Sequence, residues 1–128
     1  MNARRTFAAA LGTELGPDAV VYPAPTNAAT APCWIIEPDV PYITPGSYCS
    51  AVRRIRLLAV VARTDAEANM DAIDAIADLT VEAVLKLEAG GLIDGTTAVA
   101  YQAVSSVDNL QIGETAYVAA VVNLTLHT

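Results

Sequence analysis

The chain has few of the residues that most often carry chemistry. Histidine occurs once, at His127, and cysteine twice, at Cys33 and Cys49. A Ser–His–Asp or Cys–His arrangement would have to recruit a histidine one residue from the end of the chain, where backbones fray. A zinc site needs about three protein ligands or more, and the two cysteines lie far apart with no CxxC spacing. Each is expected to be a buried, reduced structural thiol, although the sequence leaves a disulfide open. Charged residues make up 16% of the chain, and fourteen acids against seven bases give a net charge of −7. That balance lacks the basic footprint of a nucleic-acid binder. No apolar run is long enough to span a bilayer, so no membrane is expected as a partner. The opening Met1-Asn-Ala-Arg-Arg leads into a helix carrying Glu14 and does not read as a signal peptide. Synthesis is therefore expected in the cytoplasm.

What the chain has in excess is small apolar surface. Hydrophobic residues reach 54%, against ~45–50% in ordinary domains, and the surplus is mostly Ala and Val. Surplus apolar residues tend to end against a partner, which points to an oligomer. At 128 residues the chain is expected to form one domain, 1–128, with a core that needs no metal or disulfide.

The spacing of Phe7, Leu11 and Leu15 predicts a helix from Ala3 to Leu15, stopped by Gly16-Pro17. A short strand, Ala19 to Tyr22, follows. Six of the seven prolines fall between Pro23 and Cys49, predicting an extended loop or arm over 23–49. Within it Cys33-Trp-Ile-Ile-Glu37 has strand composition, limited by its prolines to an edge or a short piece. Val52 to Arg63 alternates as a strand, with Ile55, Leu57, Ala59 and Val61 on one face and Arg54, Arg56, Leu58 and Val60 on the other. Thr64-Asp-Ala-Glu67 reads as a capping box, opening a helix to about Ala89 that ends at Gly90-Gly91. After a turn at Leu92 to Gly95, Thr97–Val107 and Glu114–His127 read as a hairpin joined through Asp108-Asn109 and Gly113. The expected fold is α+β: a mainly antiparallel sheet of four to five strands with two helices on one face.

The long helix carries three stripes. Met70, Ile73, Ala77, Val81 and Val84 are expected to pack on the sheet. Glu67, Asp71, Asp74, Asp78 and Glu82 form an acidic stripe, read either as a solvated face or as a surface that repels DNA. Carboxylates in one row cannot surround a cation, so no metal site is expected there. Ala68, Ala72, Ala75, Leu79 and Ala83 make a mostly small face that a second helix or another subunit could approach. The far face of the sheet lacks the polar alternation of a solvated surface, because Leu58, Val60, Tyr117, Ala119 and Val121 point that way. Two explanations stand open. The Pro-rich segment with Trp34, Tyr42 and Tyr48 folds over it, or it is a subunit interface rimmed by Arg53, Arg54 and Arg56 that pairs with a neighbour's acids. The glycine-rich Ala89-Gly-Gly-Leu-Ile-Asp-Gly95 lacks the Lys-Ser/Thr of a phosphate loop. No catalytic, cofactor or metal residue is therefore assigned, and no enzyme is expected.

The layout as a whole resembles the tail terminator proteins of long-tailed siphoviruses, especially those of actinobacterial phages. The resemblance is carried by Arg4-Arg-Thr-Phe-Ala-Ala-Ala-Leu11, Val20-Val-Tyr-Pro-Ala-Pro25, Ala31-Pro-Cys-Trp-Ile-Ile36 and Pro41-Tyr-Ile-Thr-Pro-Gly46. It continues through Arg56-Leu-Leu-Ala-Val-Val-Ala-Arg-Thr-Asp65 and Tyr117-Val-Ala-Ala-Val-Val-Asn123. It implies a non-enzymatic virion protein at the tail–neck junction, assembled in the host cytoplasm. Six copies would close as a ring on the last tube ring, stop tube growth and offer a docking surface to the head-side connector. DNA would pass through the lumen without sequence-specific binding. A tube protein would be expected to show a long hairpin arm and more β structure than the sequence pattern displays. A head-completion connector and a ferredoxin-like module binding a small ligand compete with the terminator resemblance, and the ligand-binding module would require a pocket of converging polar groups.

Overall fold

A computed structural model describes residues 2–26, 28–45, 51–63 and 66–128, leaving aside the side chains of Ala66 and Glu67. The chain runs α1 (Ala3–Leu15), β1 (Val21–Tyr22), β2 (Cys33–Pro45), β3 (Ala51–Ala62), α2 (Ala66–Ala89), β4 (Ala98–Ile112) and β5 (Thr115–His127). The five strands form one sheet in the order β1-β2-β3-β5-β4. The sheet is mixed, since β1 lies parallel to β2 while the other three pairings are antiparallel. β3 and β4 run the same way with β5 between them, so α2 is the crossover of a split β-α-β unit.

Local chemistry accounts for most of these elements. Asn2 caps α1, its Oδ1 accepting the N–H groups of Arg4 at 2.9 Å and Arg5 at 3.3 Å. Gly16, with φ 114, ends that helix as expected. The α2 helix stops at Gly91, with φ 82. The capping box at Thr64–Glu67 lies outside the described residues.

Both helices cover one face of the sheet. Phe7 and Leu11 of α1 and Ile73, Ile76, Val84 and Leu87 of α2 share a core with Trp34, Ile36, Ile55, Leu57, Ala59, Val122, Leu124 and Leu126. The alternation expected along β3 is observed, with Leu58 and Val60 in a second cluster on the far face. The burial stripe of α2 differs from expectation. Met70 is 52% exposed, while Thr80 and Ala83 are buried. Thr80 can enter the core because its hydroxyl is doubly used: it accepts from Trp34 Nε1 at 2.8 Å and donates to the Ile76 carbonyl at 2.6 Å.

Two strands are longer than the sequence pattern suggests. β2 continues from Cys33 through Pro38, bulges, and resumes pairing at Ile43, so much of the expected arm is strand. Its prolines are tolerated because beyond β1, which pairs only with Trp34 and Ile35, β2 is the sheet edge. β4 runs through Asp108-Asn109 to Ile112, and the hairpin turn is Gly113-Glu114, with Gly113 at φ 61. Bulges at Gln102 and Ser105 interrupt its alternation. At the first bulge, Glu88 of α2 accepts the Tyr101 N–H at 2.6 Å.

Candidate functional site

The far face of the sheet divides into an apolar half and an ionic half. The apolar half holds Cys33, Ile35, Leu58, Val60, Ile112, Tyr117, Ala119 and Val121, all buried. Tyr22, Ala29, Ala31 and Leu110 pack over it, and the Tyr117 hydroxyl donates to the Ala29 carbonyl at 2.9 Å. The Pro-rich segment thus folds back here, and Leu58, Val60, Tyr117 and Val121 are covered within the chain instead of forming an open interface. The cover does not involve the expected aromatics. Trp34 alternates with Cys33 and Ile35 and so faces α2, and Tyr42 packs against the same helix-side core. Tyr48 lies outside the described residues.

The ionic half holds Arg54 and Arg56, whereas Arg53, the strand partner of Leu126, lies on the helix side of the sheet. Arg56 pairs with Glu37 at 2.9 Å and with Asp108 at 3.5 Å, and Arg54 with Asp39 at 3.8 Å. These acids belong to the same chain, which corrects the expectation that a neighbour supplies them. Arg53 differs: its guanidinium donates to the Thr128 hydroxyl at 3.2 Å and makes no ion pair among the described residues.

Three features are left uncovered. The first is the acidic face of α2, where Asp71, Asp74, Asp78 and Glu82 are all exposed; the side chain of Glu67 is outside the described residues. The second is the outer edge of β4. From Gln102 to Val107 every residue is exposed, Val104 and Val107 included. The stretch from Gln102 to Ile112 contains no proline, lysine or arginine to discourage strand pairing. The third is an apolar groove of about 260 Å3, lined by Pro32, Trp34, Val61, Ala72, Ala75, Ile76 and Leu79. The small face of α2 expected from the sequence forms one wall of this groove, and no α1 residue lines it. Opposite the single β3 residue Arg54, β2 loops outward between its pairs Pro38–Ile55 and Ile43–Arg53. Val40 is 87% exposed in this bulge and Ile43 is 53% exposed at its foot. Neither is predicted by the sequence pattern, because a loop with prolines gives no signal of which side chains project.

Chemistry does not converge anywhere in the described residues. Burial pushes the Cys33 thiol up to about 11, keeping it protonated and unreactive at neutral pH. No group of three or more His, Cys, Asp or Glu is placed to hold a metal ion among the described residues. An open depression of about 440 Å3 is lined by Ala9, Gly12, Thr13, Gly16, Pro17 and Ala19, with one side-chain hydroxyl. Among the described residues, no helix is long and apolar enough to cross a membrane. Set against known proteins, the chain matches no protein-family model and no curated protein sequence.

Proposed function

We propose that this chain is a structural subunit of a phage tail–neck junction, one of about six that close as a ring on the tail tube. The ring ends tube polymerisation and presents the opposite surface to the head-side connector, without chemistry or a cofactor of its own. The observation that carries this reading is the bare β4 edge. An edge strand of this length with exposed valines and Asp108 as the sole charge between Gln102 and Ile112 is an aggregation hazard in a free monomer. It is accounted for when an assembly covers it. The opposite edge of the sheet, by contrast, is blunted by Pro38, Pro41 and Pro45 within β2. A subunit with one receptive edge and one blocked edge can add to a structure and end it, which is what a cap requires. The acidic face of α2 suits a lumen through which DNA slides, since like charge keeps the phosphate backbone from sticking.

The test is to add the purified chain to polymerising tail tube protein and measure tube length by electron microscopy. Short tubes with a terminal ring, and a hexamer in native mass spectrometry, are expected. Tubes that grow to the same length with and without the chain rule the function out. The long β4–β5 hairpin favours a second reading, since a long hairpin is what the sequence pattern did not offer and a tube protein should have. If the chain alone grows into open tubes, that reading replaces the first.

A further inference from the structure

The α2 groove and the β2 bulge complement each other, and a single chain cannot bring them together. The groove is apolar throughout, floored by Trp34 and Ile76 and walled by Ala72, Ala75 and Leu79. The bulge projects Val40, the most exposed of the large hydrophobic side chains, above Ile43. Trp34 pairs with Ala59 whereas the bulge faces Arg54, five residues along β3 (59 to 54), or roughly 17 Å at the rise of a strand. Knob and socket therefore sit at separate places on one molecule.

Charge follows the same division. The exposed Asp71, Asp74 and Asp78 adjoin the groove-lining residues around α2. Beside the bulge lies Arg53, which shares the face of its strand partner Ile43 and makes no ion pair among the described residues, while Arg54 on the opposite face is already paired with Asp39 of the bulge at 3.8 Å. We propose that the Val40–Ile43 bulge of one copy seats in the Pro32–Leu79 groove of the next, with Arg53 toward the acidic face of α2. The inference rests on the ring reading above and names the contact that builds the ring. Because the two patches differ, the contact is head-to-tail, and repetition closes a ring or extends a filament. The acidic face then borders each contact and can still line a lumen.

The test uses two single variants of the full chain in native mass spectrometry across a concentration series. Val40→Asp spoils the knob and leaves the groove, while Leu79→Arg spoils the groove and leaves the knob. Both positions are exposed, so thermal melting is expected to match the wild type. Each variant alone is expected to stay monomeric where the wild type is a ring. Their equimolar mixture is expected to give a 1:1 dimer and nothing larger, since one good knob meets one good groove. A wild type monomeric throughout the series, a variant that forms the full ring, or a mixture that stays monomeric overturns the contact. The two proposals separate in the tube-length assay. A ring built through this contact that leaves tube growth unchanged overturns the capping function alone. Capping by Val40→Asp equal to wild type overturns the contact alone.

Discussion

The indole N–H of Trp34 donates to the Thr80 hydroxyl at 2.8 Å, tying β2 to the middle of α2 inside the core. Both side chains are buried, so neither group can turn to water if the other is removed. Thr80→Val keeps the shape and leaves the indole N–H unpaired, and is expected to cost about 1–3 kcal/mol. Thr80→Ser keeps the hydroxyl and loses one methyl, for about 0.8 kcal/mol. Urea unfolding should show the larger midpoint shift for Thr80→Val at an unchanged m-value. Equal shifts would mean that the hydrogen bond contributes nothing beyond packing.

The same pair explains where the sequence could and could not be read. The extent of α1 was legible because Gly16-Pro17 and the four-residue spacing of Phe7, Leu11 and Leu15 act locally. So was β3, whose alternation is unbroken by any bulge. The phase of α2 was not, since a pattern of apolar residues ranks Met70 above Thr80, and only tertiary contact with Trp34 reverses that order. β4 was cut short because the extra residues Gln102 and Ser105 break the two-residue period on which strand recognition depends. The first part of β2, Cys33–Glu37, was legible as an edge strand, but its continuation to Pro45 was not, because Pro38, Pro41 and Pro45 read as loop and give no sign that pairing resumes at Ile43. Of the candidate surfaces, the acidic stripe and the small face of α2 were visible from helical spacing alone. The groove was not, because its other wall comes from Pro32, Trp34 and Val61, which only the sheet brings to the helix.

Cys33 makes stability fall at high pH. Its folded pKa, about 11, lies above the ordinary thiol value of 9.0, so the folded chain holds the proton more tightly than the unfolded chain. The stabilisation is fully present below pH 9.0 and is lost as pH rises through about 11. A steepest slope near 1.4 kcal/mol per pH unit is the upper bound for one group. Stability curves of the wild type and Cys33→Ala, each in a Cys49→Ser background, should converge over that window. Parallel curves would show that the thiol ionises equally in both states.

Arg56 joins β2 to β4 across the far face, with Glu37 at 2.9 Å and Asp108 at 3.5 Å. All three side chains are partly exposed, so solvent and salt weaken the pairs. Glu37→Gln is expected to cost up to about 1 kcal/mol at low salt and Asp108→Asn less, given its longer contact. Both losses should largely vanish near 1 M salt, where the screening length is about 3 Å. Melting temperatures at two ionic strengths decide this, and a loss that persists in high salt would assign these residues a packing role instead.

Gly113 turns the β4–β5 hairpin with φ 61, a conformation in which a Cβ meets the following carbonyl. Gly113→Ala is expected to cost about 1–2 kcal/mol. The adjacent pair Ile112–Thr115 should lose protection first in amide hydrogen exchange. Uniform loss of protection across the sheet would mean that the hairpin tip and the core open as one unit.

The β4 edge offers the last test, because its role in assembly and its role in folding predict different outcomes for one substitution. Val107 lies opposite Ala120 on the helix side of the sheet, yet α2 does not cover it and it remains exposed. Val107→Lys therefore removes little buried surface and should alter stability by no more than about 0.5 kcal/mol. A lysine on an edge strand nevertheless opposes the approach of another strand, through its charge and the cost of stripping its hydration. If tube or neck partners cover β4, the variant should melt like the wild type and cap tubes less efficiently. If it caps equally well, β4 faces solvent in the assembled ring, and the protection of that edge must come from Asp108 and the bulges at Gln102 and Ser105.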